Sequence, residues 1–387
     1  MRQNQRRILH VVGTMDPGGY ETWLLHVLEH IDRDRFQFDF CTCGTKLGLY
    51  DSEIERLGGR IIRCPKGLNL WSFRRRFRRI LSEGSYDVVH SHVHFFSGVL
   101  LCWARAEHIP LRIAHSHTTQ DGQRDDPPRR FYRRTMRSWI NHHATHGLAA
   151  SEPAARELFG ENWQADERFQ TLDYGLDLSP FQELFRREEV RAELDIPKDA
   201  LVVGHVGRFD DAKNHRFLIE VAGAVLKSRQ DVHFLLVGDG LLRPEIEARV
   251  RHMGLSRAIH FAGVRTDVPR LMLAAMDLFV FPSLYEGLGI CLLEAQMAGL
   301  RCLVSDMVPK EVARLRESVE FLSLSAGKDH WATRINQGLE ARQTGQPTVL
   351  GVEAESKFSM QRPLRHLMGL YSEAQDSIPH VTLEQHA

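Results

Sequence analysis

The sequence predicts an α/β protein built from two doubly wound parallel sheets, one in each half of the chain. Three observations carry this. Short apolar runs alternate with amphipathic helical segments almost throughout, the pattern of repeated β-α units. The runs are apolar throughout rather than at every second residue, as strands covered on both faces must be. The alternation lapses once, near residues 171–180 (TLDYGLDLSP), and then restarts, which marks a domain junction. Residues 1–172 read as an N-terminal domain and 173–357 as a C-terminal domain, followed by a helix over 358–376 and a loose tail over 377–387. At 387 residues the chain is long enough for two cores.

Taken in order, the first strand spans residues 8–12 and ends at Gly13. A loop with Asp16-Pro17-Gly18-Gly19 leads to a helix that places Trp23, Leu24, Val27, Leu28 and Ile31 on one face. Asp32-Arg33-Asp34 joins this helix to an edge strand over 36–43. Its acidic pattern matches metal-binding motifs of some transferases, but its position reads as a turn. Further strands follow at 60–64, 87–90, 112–115 and 145–149. The second half repeats the pattern with strands at 201–206, 233–237, 258–261, 278–281 and 301–304. Two such sheets facing each other leave a crevice at the carboxyl ends of their strands, where open α/β folds bind ligands.

Charge and cysteine usage narrow the class. Net charge is zero, but residues 1–172 carry 25 basic against 20 acidic side chains and 173–387 carry 25 against 30. The basic half is the one suited to an anionic surface. Six cysteines without paired zinc spacing read as buried thiols in a reducing compartment, the cytoplasm. The basic N-terminus lacks the apolar core and cleavage site of a secretory signal. No apolar run reaches the ~20 residues of a membrane-spanning helix, so the expectation is a soluble or at most peripheral protein.

The chain is organised around residues 277–299, DLFVFPSLYEGLGICLLEAQMAG. A buried strand stops at Pro282-Ser283, and the loop 284–289 passes into a helix with Ile290, Leu292, Leu293 and Met297 on its apolar face and Gly299 at its end. Gly287 and Gly289 allow close approach of backbone to a ligand, so the N–H groups at the helix start can face an anion. Glu286 stands in the loop and Glu294 one turn inside the helix, each able to read hydroxyls beside that anion. Sugar, diphosphate and ribose have this layout. A second loop, 206–215, carries Arg208 and Lys213, two cations suited to the charge that develops on a departing diphosphate. The plainer reading leaves them satisfied by Asp210 and Asp211.

With Gly18-Gly19-Tyr20-Glu21, Gly207-Arg208 with Lys213, and Glu286 to Glu294 in this order, the sequence resembles the family 4 retaining glycosyltransferases, and within them the EpsF-like group of exopolysaccharide and capsule biosynthesis enzymes. The resemblance implies a GT-B fold: two Rossmann-like domains with parallel sheets facing a central crevice, the C-terminal one holding the nucleotide-sugar. It implies that Glu294 binds the ribose hydroxyls, Glu286 the donor sugar, and Arg208 and Lys213 the diphosphate. The backbone of Gly287, Leu288, Gly289 and Ile290 assists, Gly18 and Gly19 close over the donor phosphate or acceptor, and the backbone near Val264 meets the base. In such folds the last helix often crosses back to the first domain. One departure stands at the junction, Asp173-Tyr174-Gly175-Leu176-Asp177, which keeps the family's Gly and Asp but not its Pro and Asn.

Histidines cluster at His90, His92 and His94, then at His115 and His117. Alternate positions of a strand share a face, so they suit a metal ion or satisfied core imidazoles. The resemblance favours His115 at a strand end, hydrogen-bonding a donor-sugar hydroxyl, with no metal and no cofactor. His142-His143 and His146 read as a helix end. Basic runs at Arg74, Arg75, Arg76, Arg78 and Arg79, and at Arg129, Arg130, Arg133, Arg134 and Arg137, are solvated faces or attachment points for anionic lipid. No nucleic-acid motif accompanies them. Gln120 to Pro128 reads as a mobile acceptor-side flap.

The expected function is transfer of a hexose, with retention, from a UDP-sugar to a polyprenyl-linked saccharide acceptor. The alternatives are a metal-dependent hydrolase using His90, His92, His94, His115 and His117, and a non-catalytic nucleotide-sugar-binding protein.

Overall fold

The computed structural model describes residues 5–67, 69–123, 125–344 and 356–373. The chain forms two compact units: one takes residues up to 16, 21–173 and those from 361 onward, the other Pro17–Tyr20 and Tyr174–Met360. The two sheets are parallel and helix-covered, as predicted.

The first unit holds β1 (Arg6–Val12), β2 (Phe36–Thr42), β3 (Arg60–Arg63), β4 (Val88–Ser91), β5 (Leu111–Ser116), β6 (His146–Ala149) and β7 (Phe169–Thr171), in the order β3-β2-β1-β4-β5-β6-β7. Its helices are α1 (Gly19–His30), α2 (Asp51–Arg56), α3 (Leu70–Gly84), α4 (Ser97–Ala106), α5 (Pro127–His143) and α6 (Glu152–Phe159). Helix starts follow local chemistry. Asn69 accepts from the Ser72 N–H at 3.1 Å, and Asp126 accepts from the Arg129 N–H at 2.8 Å ahead of Pro127-Pro128. Trp23, Leu24, Val27 and Leu28 of α1, with Ile31 just beyond it, are buried, the face read from their spacing. Each such side chain contributes about 1.5–3 kcal/mol before ordering entropy is subtracted.

The second unit holds β8 (Leu201–Val206), β9 (Val232–Val237), β10 (Ile259–Gly263), β11 (Leu278–Phe281), β12 (Arg301–Ser305) and β13 (Val319–Leu322), in the order β10-β9-β8-β11-β12-β13. Around it lie α7 (Arg187–Ala192), α8 (His215–Ser228), α9 (Arg243–His252), α10 (Val268–Ala274), α11 (Ile290–Met297) and α12 (Gly327–Thr344). The strand order reverses between β8 and β11, so the loops leaving their carboxyl ends diverge and open a binding position. At the opposite end Asp277 is 4% exposed and fully engaged: Arg191 Nη2 and the Val202 N–H each donate to it at 2.8 Å, and Arg187 pairs with it. That buried charge fixes the start of β11 against β8 and α7.

The last described helix, α13 (Gln361–Ser372), belongs to the first unit, where Leu367, Leu370 and Tyr371 are buried. The loose tail expected over 377–387, and positions 374–376 of the expected closing helix, lie outside the described residues.

Three expectations need correction. β7 and β13 were not predicted; both are edge strands, buried only in part and too short to show a period. Residues 32–34 do form a turn, with the Asp34 N–H on Asp32 Oδ1 at 3.1 Å, but the strand that follows pairs on both sides and is not an edge. Of the six cysteines, Cys41, Cys64 and Cys302 are buried, whereas Cys43, Cys102 and Cys291 are only partly so.

Candidate active site

The loop after β8 and the loop after β11 are sewn together. Asp210 accepts from the Lys213 N–H at 3.3 Å and starts a short 3-10 turn. The Asn214 side-chain amide donates to Pro282 O at 3.1 Å, and the Leu284 N–H donates to Ala212 O at 2.7 Å. This brings Lys213 to Glu286: Nζ donates to Oε1 at 2.5 Å, and Nζ lies 4.7 Å from the centre of the Phe281 ring. Burial works to strip the charge from Lys213, but the Glu286 carboxylate, with Cys291 and Asp210 adding to it, outweighs burial and raises the pKa. The acidic neighbours named from sequence act otherwise: Asp210 serves the backbone, and Asp211 accepts from Arg216 at 2.7 Å. Arg208 is exposed and has no side-chain hydrogen bond or ion pair among the described residues.

Gly289, at φ +91°, turns the chain into α11, a conformation that other L residues resist. No side chain caps this helix, and Gly287, Leu288 and Ile290 are buried at its mouth. The mouth is a cluster of backbone donors with a favourable dipole for an anion. Glu294, one turn in, is partly buried and makes no side-chain hydrogen bond or ion pair among the described residues. Burial pushes its carboxyl up to about 7. Cys291, on the first turn of α11, has its thiol pushed up by burial, with Lys213, Glu286 and Glu294 close enough to modulate it. Nothing in its sequence position signalled that role.

The remaining predicted positions belong to other elements. Val264 is exposed after β10, the edge strand, with β9 and β8 between it and β11. Gly18 ends the loop after β1 and Gly19 begins α1, both in the stretch Pro17–Tyr20 that belongs to the second unit; Gly19 has open space where a side chain would project. His115 belongs to the first unit.

There the sheet register gathers the histidines. His10 on β1 lies opposite His90 on β4, and β5 runs alongside, so His10, His90, His92, His115 and His117 share one face. His10 Nδ1 is 3.0 Å from His92 Nε2, His92 Nδ1 is 2.8 Å from His117 Nε2, and His90 Nε2 is 3.2 Å from His115 Nδ1. Burial, with smaller contributions from neighbouring rings, holds His90, His92 and His115 well below the ordinary histidine value, and burial, then His94, does so for His117. Burial takes His10 to about 3. His94 does not join them: at φ +51° it starts a 3-10 turn, with both ring nitrogens buried and without a hydrogen bond among the described residues. His10 is the member that sequence missed, although its place one strand over and in register with His90 marks it. Two triads, His10-His90-His92 and His92-His115-His117, have ligand atoms near enough for a metal ion. His142 and His143 occupy the last turn of α5, as read, but His146, expected at the same helix end, opens β6, because the chain turns extended at Ala144.

The basic runs are largely answered from within. Asp121 takes Arg129 at 2.5 Å and Arg133 at 2.6 Å, Asp125 takes Arg133 at 2.8 Å, and Arg137 donates to Glu157 O at 2.7 Å. The arginines of α5 are therefore not one solvated face, and the loop expected to be a flap is tied to α5. Burial opposes the charge of Asp121, but Arg133 and Arg129 more than offset it and hold its carboxyl at about 2. In α3, Arg78 pairs with Glu107 and Arg79 with Glu83, while Trp71 at the helix start is 77% exposed. No helix among the described residues is long and apolar enough to cross a membrane.

Comparison with known proteins agrees with this architecture. Residues 200–340 match the family model for glycosyl transferases group 1, and residues 18–170 match that for the glycosyl transferase 4-like domain. The putative glycosyltransferase EpsF of Bacillus subtilis is 34% identical over 96% of this chain and 98% of its own length. The Escherichia coli UDP-Gal:alpha-D-GlcNAc-diphosphoundecaprenol alpha-1,3-galactosyltransferase is 27% identical over 59% of this chain and 60% of its own. Among solved structures, Anabaena Alr3699/HepE in complex with UDP and glucose superposes with a TM-score of 0.76 at 18% identity, over 97% of this chain and 100% of that one. That last likeness is one of fold, the GT-B fold. These are likenesses to transferases and do not favour the hydrolase or the non-catalytic reading.

Proposed function

Because the chain belongs to the glycosyl transferases whose group 1 and 4-like domains it carries, we propose that it moves a hexose from a UDP-sugar to a polyprenyl-linked saccharide during polysaccharide assembly, with retention at the anomeric carbon. The supporting observation is the joining of Lys213 and Glu286 beside the uncapped start of α11, with Glu294, which has no partner among the described residues, one turn away. Backbone donors at the mouth of α11 take the diphosphate, and Lys213 with Arg208 neutralises it as the bond to the sugar breaks. Glu286, already oriented by Lys213, accepts from hydroxyls of the hexose. Glu294 accepts from the ribose hydroxyls, which satisfy a carboxylate otherwise without a partner. His115 hydrogen-bonds a hydroxyl of the transferred sugar.

In the chemical step the bond from the anomeric carbon to the phosphate oxygen breaks, and the acceptor hydroxyl oxygen bonds to that carbon on the same face. The acceptor proton passes to the departing phosphate oxygen. Leaving-group charge is met by side chains and backbone donors, so no metal is required. The UDP-Gal and diphosphoundecaprenol substrates of the Escherichia coli galactosyltransferase support the UDP donor and the lipid-linked acceptor, and the UDP bound to HepE supports the donor. Placement is cytoplasmic, with contact to an anionic membrane face through the exposed arginines of α3 and α5.

Glu286→Gln keeps a hydrogen-bonding partner for Lys213, so the fold and UDP binding are retained. Transfer, measured with UDP-hexoses and a lipid-linked acceptor, should fall by ~10²–10³-fold, the scale for losing one preorganised electrostatic contact. Near-wild-type turnover in this variant would remove the assignment.

A further inference from the structure

The imidazoles of the first unit form hydrogen-bonded lines, and one of them ends on the last helix. The Tyr371 hydroxyl lies 2.8 Å from His90 Nδ1, and His90 Nε2 lies 3.2 Å from His115 Nδ1. All three side chains are buried. Trp23 of α1 closes the far side of His115, edge-on at 5.7 Å between ring centres, and Phe36 and Phe38 of β2 pack about Tyr371 at 6.0 Å. The line therefore has aromatic side chains at its two ends, and the rings of His10, His92 and His117 pack beside its imidazoles.

Its polarity follows from counting donors. A hydroxyl and a neutral imidazole can each donate or accept, so each contact alone is ambiguous. Tyr371 breaks the ambiguity. Burial keeps its phenol protonated by pushing the pKa up, and His90 is its hydrogen-bond partner among the described residues. An O–H left undonated in such a place forfeits about 1–3 kcal/mol, so the hydroxyl donates and His90 Nδ1 accepts. His90 is held neutral by burial and by the rings beside it, so its single proton sits on Nε2. That N–H donates to His115 Nδ1, which must be bare. His115 is neutral for the same reasons, and its proton is left on Nε2.

We infer that Tyr371, on the helix that closes the first unit, fixes the tautomer of His115 two rings away, so that His115 presents an N–H at Nε2 rather than a bare nitrogen. Tyr371 and His90 are positioning residues. The consequence for chemistry rests on the reading of His115 as the contact to the transferred sugar. A donor at Nε2 binds a sugar hydroxyl through the hydroxyl's oxygen and leaves its proton for another acceptor. A bare nitrogen would take that proton and act as a base.

The test reads the tautomers directly. In the full chain labelled with ¹⁵N-histidine, long-range proton–nitrogen correlations distinguish Nε2–H from Nδ1–H, and loss of signals in His115→Gln and His90→Gln assigns the two rings. Both rings are expected to carry Nε2–H in the unsubstituted protein; Nδ1–H on His115 overturns the inference. In Tyr371→Phe, His115 is expected to divide between both tautomers, and kcat for transfer to fall about tenfold, the equivalent of one hydrogen bond, with UDP affinity unchanged. An unchanged His115 tautomer in Tyr371→Phe also overturns it, whatever happens to stability. A changed tautomer with full kcat supports the relay and removes the sugar-contact role of His115 instead.

Discussion

Lys213 and Glu286 neutralise each other at 2.5 Å with side chains 16% and 11% exposed, so removing either strands the other. Lys213→Ala and Glu286→Ala should each lower stability by roughly 2–4 kcal/mol, and the double variant by clearly less than their sum, read from denaturant melts. Additive losses would mean that the two charges do not depend on each other. Glu294 gives a pH signature. Its carboxyl, pushed by burial from the ordinary 4.5 to about 7, favours the uncharged form in the fold. Its contribution to stability is therefore complete below pH 4.5 and lost as pH rises through 7, by at most roughly 3 kcal/mol. Ribose hydroxyls favour the charged form, so UDP should bind more tightly as pH rises through 7, with proton release on binding. Calorimetry in buffers of different ionisation enthalpy checks this, and Glu294→Gln should flatten both profiles. At this scale the acids and cations were legible because an apolar run, a glycine loop and a helix face place them. Their pairing was not, since Lys213 and Glu286 lie 73 residues apart and only the fold joins them. Nor was Tyr371 legible: its helix meets β4 only once the chain has returned to the first unit.

At the scale of elements, the buried strands announced themselves, because a parallel strand covered on both faces is apolar throughout. β7 and β13 did not, because an edge strand needs only one good neighbour and a partly buried side. The basic helices teach a related point. Periodicity put the arginines of α5 in a row, but Asp121 and Asp125, in the loop before the helix, fold back onto that row. The charge available to a membrane is smaller than the sequence count. Asp121→Asn should release Arg129 and Arg133 and increase co-sedimentation with phosphatidylserine vesicles, at about 1 kcal/mol per basic residue reaching the surface. Replacing the exposed Arg75 and Arg134 by Gln should decrease it. Unaltered sedimentation in both would separate these helices from any lipid role.

For the whole molecule, apart from the short excursion of Pro17–Tyr20 into the second unit, the chain passes between its two units at residues 173–174 and again at 360–361. In the second unit the two passing segments pair: the Leu176 N–H donates to Phe358 O at 2.7 Å, and Leu176 forms a parallel bridge with Ser359. Gly175 makes this possible, since a Cβ there would sit 2.5 Å from the Met360 backbone. Its place in the junction, where Pro and Asn of the family pattern are missing, is explained by this close approach. Gly175→Ala should force the segments apart at about 1–3 kcal/mol, visible as a lower Tm. An unchanged Tm would show that the pairing contributes nothing. The account as a whole depends on the second unit gripping a nucleotide diphosphate at the β8 and β11 loops. Thermal melting of the full chain with UDP and a panel of UDP-hexoses tests this most directly. A bound donor at a hundredfold excess over its Kd stabilises the chain by about 2.7 kcal/mol. The account predicts a raised Tm with UDP compounds that is lost in Glu294→Ala; a folded wild-type chain whose Tm no UDP compound moves would contradict it.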